Sequence, residues 1–304
     1  MIRFRRIDSA LLNRWLIAQG LPSGLPSYRL RLWREEHTSI PEVLAELRVY
    51  VQETLDDARR RIRKGFEDDL SPFRDTPTDP AANYPGFLHK VTLFGYFGET
   101  LAVLAVEHWG AHGYTDWKVP ALLFRFHDSE FQHLEIINER VLAGVDYDSD
   151  LAAERRPGRT GDDGLAFRIT GENVITDILT LEAKCLARHN EGKAGEAHRK
   201  LASGLARPTG VRELINLLAD YGTPEAETWR EALLELWGSG YKSARRYDGV
   251  AYTCNSSPKQ PVDRLTWLSA ERPHSEYTVT RGLEAMEFQF KNLEAVITML
   301  YRQT

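Results

Sequence analysis

Apolar residues recur every four positions at Val43, Leu47, Val51 and Leu55, behind Pro41, which suits a first helical turn. This spacing predicts an amphipathic helix over 41–64. A second helix is predicted over 95–109. Its middle, 101–106, is apolar on every side, which predicts burial. Between the two, Pro72, Pro77, Pro80 and Pro85 mark 71–86 as a linker or rim loop. Residues 1–40 mix short apolar stretches with turn signals at 22–24 and 26–27. Beyond the second helix the pattern predicts a strand over 121–126, a helix over 129–141 and a polar loop over 146–160. Strands follow over 163–169 and 175–186, then a polar helix over 192–205 and helical periods over 211–221 and 225–237. A strand over 247–254, a short one over 264–268 and a closing helix over 279–301 complete the chain. These elements predict an α/β (α+β) protein: a mainly helical N-terminal region over 1–85, then a core over 86–304 with helical C-terminal elements.

Composition narrows this picture. The chain has 304 residues, 42% hydrophobic and 27% charged, which excludes disorder, a collagenous fibre and a disulfide scaffold. The first residues turn polar after Met-Ile-Arg-Phe-Arg-Arg and lack the apolar core of a signal peptide. The apolar run at 101–106 is far too short to span a bilayer. Cys185 and Cys254 form no C-x-x-C, so a cysteine-rich zinc site is not expected. A soluble cytoplasmic protein with no membrane partner is the expectation. The net charge is -5, from 39 Lys+Arg against 44 Asp+Glu, which argues against nucleic-acid binding through bulk positive charge. Such a protein, alone, is expected to bind DNA poorly and more poorly still in salt.

Chemistry concentrates in three segments. In the strand at 175–186, Leu179, Leu181, Ala183 and Cys185 share one apolar face, while Glu182 and Lys184 share the other with Ile178, Thr180 and Leu186. Charged side chains on a strand that otherwise reads as core need a partner or a metal; an ion pair on a solvated edge is the simpler alternative. Upstream, Gly161-Asp-Asp-Gly164 leads into an apolar strand, or is only a hairpin turn. Glu99, beside Gly98, sits near the start of the buried helix, where a carboxylate also suits the helix dipole.

Taken in order, these residues resemble the PD-(D/E)xK nuclease superfamily: an acid on a helix, an acid at a strand start, then Glu-x-Lys on the next strand. That resemblance implies a restriction-endonuclease-like core, a mixed sheet flanked by helices, and a Mg²⁺-dependent (or Mn²⁺-dependent) deoxyribonuclease. It assigns Glu99, Asp163, Glu182 and Lys184 as catalytic, with Asp163, Glu182 and Glu99 around the metal. The chain departs from the pattern in having no Pro-Asp, and Asp162 competes with Asp163; Asp163 is preferred because it directly precedes the apolar strand. Mg²⁺ prefers oxygen ligands, would polarise a phosphoryl oxygen and lower the pKa of a bound water, and Lys184 would stabilise transition-state charge. More finely, Phe94–Ala102, Gly161–Leu165 and Leu181–Cys185 resemble the DUF1837 nuclease subunits of Hachiman antiphage defence systems. This implies DNA and a helicase (ATPase) as partners. The alternative is a non-catalytic binding or regulatory subunit with the same fold.

Other signals carry less. His108-Trp-Gly-Ala-His112 lacks the Glu that a metalloprotease places after its first His. The basic run 59–64 suits a helix C-terminus or a nucleic-acid or partner contact. Lys193, His198, Arg199 and Lys200 suit a solvated helix face or phosphate contacts beside the metal. Trp229 and Trp237 share a helix face that reads as core or partner interface.

Overall fold

A computed structural model describes residues 2, 7–21, 25–66, 79, 81, 84–85, 88–122, 162–204, 208–255 and 265–302. The elements in chain order are α1 (Ser9–Trp15), β1 (Leu16–Gln19), β2 (Tyr28–Glu35), α2 (Ile40–Phe66), α3 (Lys90–Trp109), β3 (Gly164–Ile169) and β4 (Ile175–Leu186). They continue as α4 (Glu191–Ser203), α5 (Gly210–Ala219), α6 (Pro224–Gly238), β5 (Arg245–Cys254), β6 (Leu283–Gln289) and α7 (Leu293–Tyr301). The elements expected over 123–160, with the polar loop there, lie outside the described residues, as does most of the proline-rich stretch. No helix among the described residues is long and apolar enough to cross a membrane.

The strands form one six-stranded mixed sheet in the order β1-β2-β6-β5-β4-β3. β2, β6, β5 and β4 run parallel, and β1 and β3 close the edges antiparallel. Helices flank both faces, so the α/β character and the mixed sheet expected from the sequence are present. On one face α1, α2, α3 and α7 bury the largest core, which includes Leu179, Leu181 and Cys185 of β4. The stripe Val43, Leu47, Val51 and Leu55 points into it. On the other face α5 and α6 pack over Leu165, Phe167 and Ile178, and α4 packs over Val250 and Tyr252.

Two sequence expectations need correction. The closing helix over 279–301 is a strand, β6, followed by the shorter helix α7, which Asn292 caps by accepting from the Ala295 N–H. No strand forms at 265–268; a short irregular stretch there puts the Trp267 and Leu268 N–H groups onto Glu287. The N-terminal region is helical in α1 and α2 but is no separate unit: its β2 pairs with β6, Tyr28 opposite Leu283.

Helix α3 meets the sheet closely. A Cβ placed on Gly98 would stand 2.8 Å from Cys185 Cβ. Gly98→Ala is therefore expected to destabilise. The helix itself favours Ala over Gly by about 1 kcal/mol, yet overpacking costs about 1–3 kcal/mol. Urea melts should show a net loss; a more stable variant would mean that the contact relaxes freely.

Candidate active site

Strand alternation sets up the site. On β4, Ala183 and Cys185 turn toward α3, so Glu182 and Lys184 turn toward α4. The β3–β4 register pairs Gly164 with Leu181, which puts Asp163 directly across from Glu182. The Asp163 N–H donates to the Leu181 carbonyl at 3.1 Å, and the Ala183 N–H donates to Asp163 Oδ2 at 2.9 Å. Two carboxylates on neighbouring strands, side by side, repel each other unless cations intervene.

Lysines intervene from both sides. Lys184 Nζ donates to Glu182 Oε1 at 2.9 Å and to Glu196 Oε1 at 3.2 Å. Lys200, one turn further along α4, reaches Asp163 Oδ1 at 3.1 Å and also contacts Glu182 Oε2. Lys193 holds the other oxygen of Glu196 at 2.6 Å. Lys193, Glu196 and Lys200 thus form one stripe of α4 laid against the charged face of β4.

Burial decides the protonation. The Glu182 side chain is 1% exposed. Desolvation and the neighbouring Asp163 outweigh its lysines and push its pKa up to about 7. Burial alone would lower the Lys184 pKa, but Glu182, Asp163 and Glu196 raise it well above its ordinary value. The Lys200 pKa rises in the same way, against burial, through Asp163 and Glu182. Both lysines therefore remain ammonium ions at any physiological pH, and Glu182 is the group that titrates near neutrality.

The sign of the resulting pH effect is fixed. Between 4.5, the ordinary Glu value, and about 7, the folded state keeps a proton on Glu182 that the unfolded chain has released. The stability of the wild type relative to Glu182→Gln should therefore fall as pH rises through that window, and stay level above it. Urea melts of both proteins at stepped pH would show this; a difference that rises over the same window would contradict it.

Of the residues expected from the sequence, the structure brings together Asp163, Glu182 and Lys184. The two adjacent acids differ in their contacts. Asp162 Oδ2 accepts from the Gly210 N–H at 3.1 Å and the Thr209 hydroxyl at 3.3 Å, capping α5, while Asp163 faces Glu182. Glu99 is placed elsewhere. Its helix covers the opposite face of β4, and its carboxylate lies near Tyr301 of α7, whose phenol is held neutral by burial and, to a lesser extent, by that charge. Among the described residues no group of three His, Cys, Asp or Glu side chains could hold a metal ion. Glu99 as a third acid beside the pair is thus not what the geometry presents.

The pair itself is a donor set that suits a hard cation. Asp163 and Glu182 present oxygens to a common point, and the Lys200 ammonium already bridges them there. A divalent ion prefers such carboxylate oxygens, and Lys200 would have to give way to it.

The other candidates fall outside this cluster. The basic run at the end of α2 belongs to the helical layer on the opposite face. There Arg59 donates to the Tyr84 carbonyl at 2.9 Å and Arg63 to Asp79 at 2.7 Å. His108 and His112 have separate contacts, with Ser9 and with the Asp248 carbonyl. Trp229 is core beside Phe167, whereas Trp237 is 40% exposed. His198 is buried, and its ring contacts the Ala194 carbonyl of its own helix. Sequence reasoning misses Glu196; its signal is the spacing 193, 196, 200 on one helix face.

No protein-family model matches the chain, and no curated protein sequence matches it.

Proposed function

We propose that the protein is a metal-dependent nuclease that hydrolyses DNA phosphodiester bonds at Asp163, Glu182, Lys184 and Lys200. The observation that carries this reading is the opposed pair of carboxylates, Asp163 and the buried Glu182, bridged by the Lys200 ammonium and flanked by Lys184. A purely structural ion pair would leave unexplained why two acids are placed face to face on neighbouring strands, one of them buried. A mixed sheet flanked by helices, with Asp163 ahead of one strand and Glu-x-Lys on the next, is compatible with the superfamily that the sequence resembles.

Asp163 and Glu182 would hold Mg²⁺ or Mn²⁺. When bound there, the cation would supply Lewis-acid polarisation of a phosphoryl oxygen and a more acidic water. Lys184, fixed as a cation by Glu182 and Glu196, cannot act as a base. It orients the attacking water or neutralises the charge that builds on the phosphoryl oxygens as the new P–O bond forms and the old one breaks. Lys200, once released from between the carboxylates, is a second cation within reach of the same phosphate.

The test is degradation of plasmid DNA by the purified protein with Mg²⁺ or Mn²⁺ and its suppression by a chelator. No cleavage with either metal would overturn the reading and favour a non-catalytic subunit. The sequence resemblance to Hachiman nuclease subunits extends the proposal to an antiphage effector controlled by a helicase. Association with a co-encoded helicase would support that extension.

A further inference from the structure

We propose that Lys200 is a built-in counter-ion that keeps the Asp163–Glu182 pair closed to divalent cations, and that an ion enters as Lys200 swings into the adjoining cleft. The inference rests on the reading above that the two carboxylates hold a metal, and it adds what controls that metal.

The contacts come first. Lys200 Nζ stands 3.1 Å from Asp163 Oδ1 and also contacts Glu182 Oε2. It thus occupies the point to which the two acids present their oxygens. A second cation cannot join it there, because like charges so close repel strongly where water is scarce. The charges around the pair are also matched already. Asp163, Glu182 and Glu196 face Lys184, Lys193 and Lys200. With all three acids ionised, a divalent ion added beside the three lysines leaves an excess of two positive charges. An ion that displaces Lys200 leaves an excess of one.

The two lysines on the pair differ in freedom. Lys184 projects from β4 and is held by Glu182 at 2.9 Å and by Glu196 at 3.2 Å. Displaced from Glu182, it still has Glu196. Lys200 projects from the last turn of α4 and is the more exposed, 29% against 17%. Both acids that it contacts among the described residues belong to the pair, so an ion that takes the pair takes them both.

The displaced ammonium has somewhere to go. A cleft of about 220 Å³ lies next to Glu182, and Lys200, Asp162 and the small residues Ser203 and Gly204 line it. That space admits the end of a lysine side chain, whose four-carbon stem is flexible. Asp162 accepts from the Gly210 N–H and the Thr209 hydroxyl through Oδ2, which leaves Oδ1 to receive the ammonium. Arg246, which also lines the cleft, already faces Asp248 at 3.5 Å.

The experiment measures metal binding with no DNA and no turnover. Mn²⁺ is titrated into the purified protein above pH 7, where Glu182 is ionised, and the free ion is counted by its paramagnetic resonance signal. Wild type is compared with Lys200→Met, which keeps the stem and removes the charge, and with Lys200→Arg, which keeps the charge. Glu182→Gln, alone and combined with Lys200→Met, locates the ion. Melting curves in chelator verify folding, and Lys200→Gln carries the same comparison should Lys200→Met not fold. Lys200→Met should bind Mn²⁺ about tenfold more tightly than wild type, the scale of one hydrogen bond to a charged group that no longer has to be broken. Lys200→Arg should bind no more tightly than wild type, and the double variant should lose the gain. Mn²⁺ should also raise the melting temperature of Lys200→Met more than that of wild type, because an ion bound by the folded state stabilises it by mass action. Equal affinities in wild type and Lys200→Met, both lost with Glu182→Gln, would overturn the proposal and leave the metal reading standing. Weaker binding by Lys200→Met would overturn it as well, since Lys200 would then help to hold the ion. A gain that persists in the double variant would place the ion elsewhere and overturn the proposal. No Mn²⁺ bound by any of these proteins would overturn both the proposal and the metal reading.

Discussion

If the protein is the nuclease proposed above, replacing Glu182 by Gln should lower its metal-dependent DNA cleavage on the order of 10³-fold, the scale seen when one preorganised electrostatic group is removed from a hydrolytic site. The fold should survive it. Lys184 retains Glu196 and Lys200 retains Asp163, so neither ammonium is left without an anion. Gln keeps the volume and both hydrogen-bonding ends of the side chain, and it removes a carboxyl whose ionised form burial disfavours. Above pH 7, where the stability difference between the two proteins no longer changes with pH, loss of activity with a near-wild-type melting temperature is thus the expected pairing. A Glu182→Gln protein that cleaves plasmid at the wild-type rate would show that the carboxylate pair is architecture only. Lys184→Ala is a poorer probe, because it leaves Glu182 with less positive charge in a buried setting.

The largest expected effect on stability belongs to Asp248→Ala. This carboxylate is fully buried on β5 and accepts from Tyr277 Oη at 2.8 Å and Arg281 Nε at 2.8 Å, with Arg246 beside it. The side chains of Arg246 and Arg281 are only 12% and 24% exposed, so water cannot take over the lost pairing. Removing one partner of a buried charge network costs about 3–5 kcal/mol. Chemical denaturation should show that loss. Asp248→Asn, which keeps acceptors for Tyr277 and one guanidinium, should lose less. Equal losses in the two variants would mean that packing, not charge, carries the effect.

Much of the site is legible in the sequence because alternation along a strand is a strong signal. In the segment 175–186, alternation alone places Glu182 and Lys184 on one face, and the turn ahead of β3 narrows the acid to two neighbours. Two things are not legible. Which face of α4 meets β4 depends on tertiary packing, so Lys200 reads equally well as a solvated residue. The side of the sheet that α3 covers likewise decides where Glu99 goes. Gly98 against Cys185 fixes that, and helical periodicity does not reveal it.

β6 reads as helix for a physical reason. Leu283-Glu-Ala-Met-Glu-Phe-Gln289 carries acids three apart, which looks like the wet side of a helix. Both acids are buried. Glu284 takes Arg29 at 2.7 Å from the neighbouring β2, and Glu287 accepts the Trp267 and Leu268 N–H groups at 3.0 and 2.9 Å. The partners lie far away in the chain or in an irregular stretch, and no local pattern shows them.

The pairing of β2 with β6 has a consequence for the life of the chain on the ribosome. β2 leaves the exit tunnel long before the strand that flanks it, residues 283–289, is made. Until β6 emerges, β2 and its edge partner β1 offer an unpaired strand edge, a template for stray association. The hairpin and helix that carry Asp163, Glu182, Lys184 and Lys200 form one contiguous stretch, 162–204, and can assemble locally well ahead of that. The charged cluster is thus drafted before β6, but the sheet that holds it becomes continuous only when β6 arrives. A chain interrupted before β6 would carry the charged cluster without the continuous sheet behind it, so the integrity of β6 governs β2 as much as it governs the site.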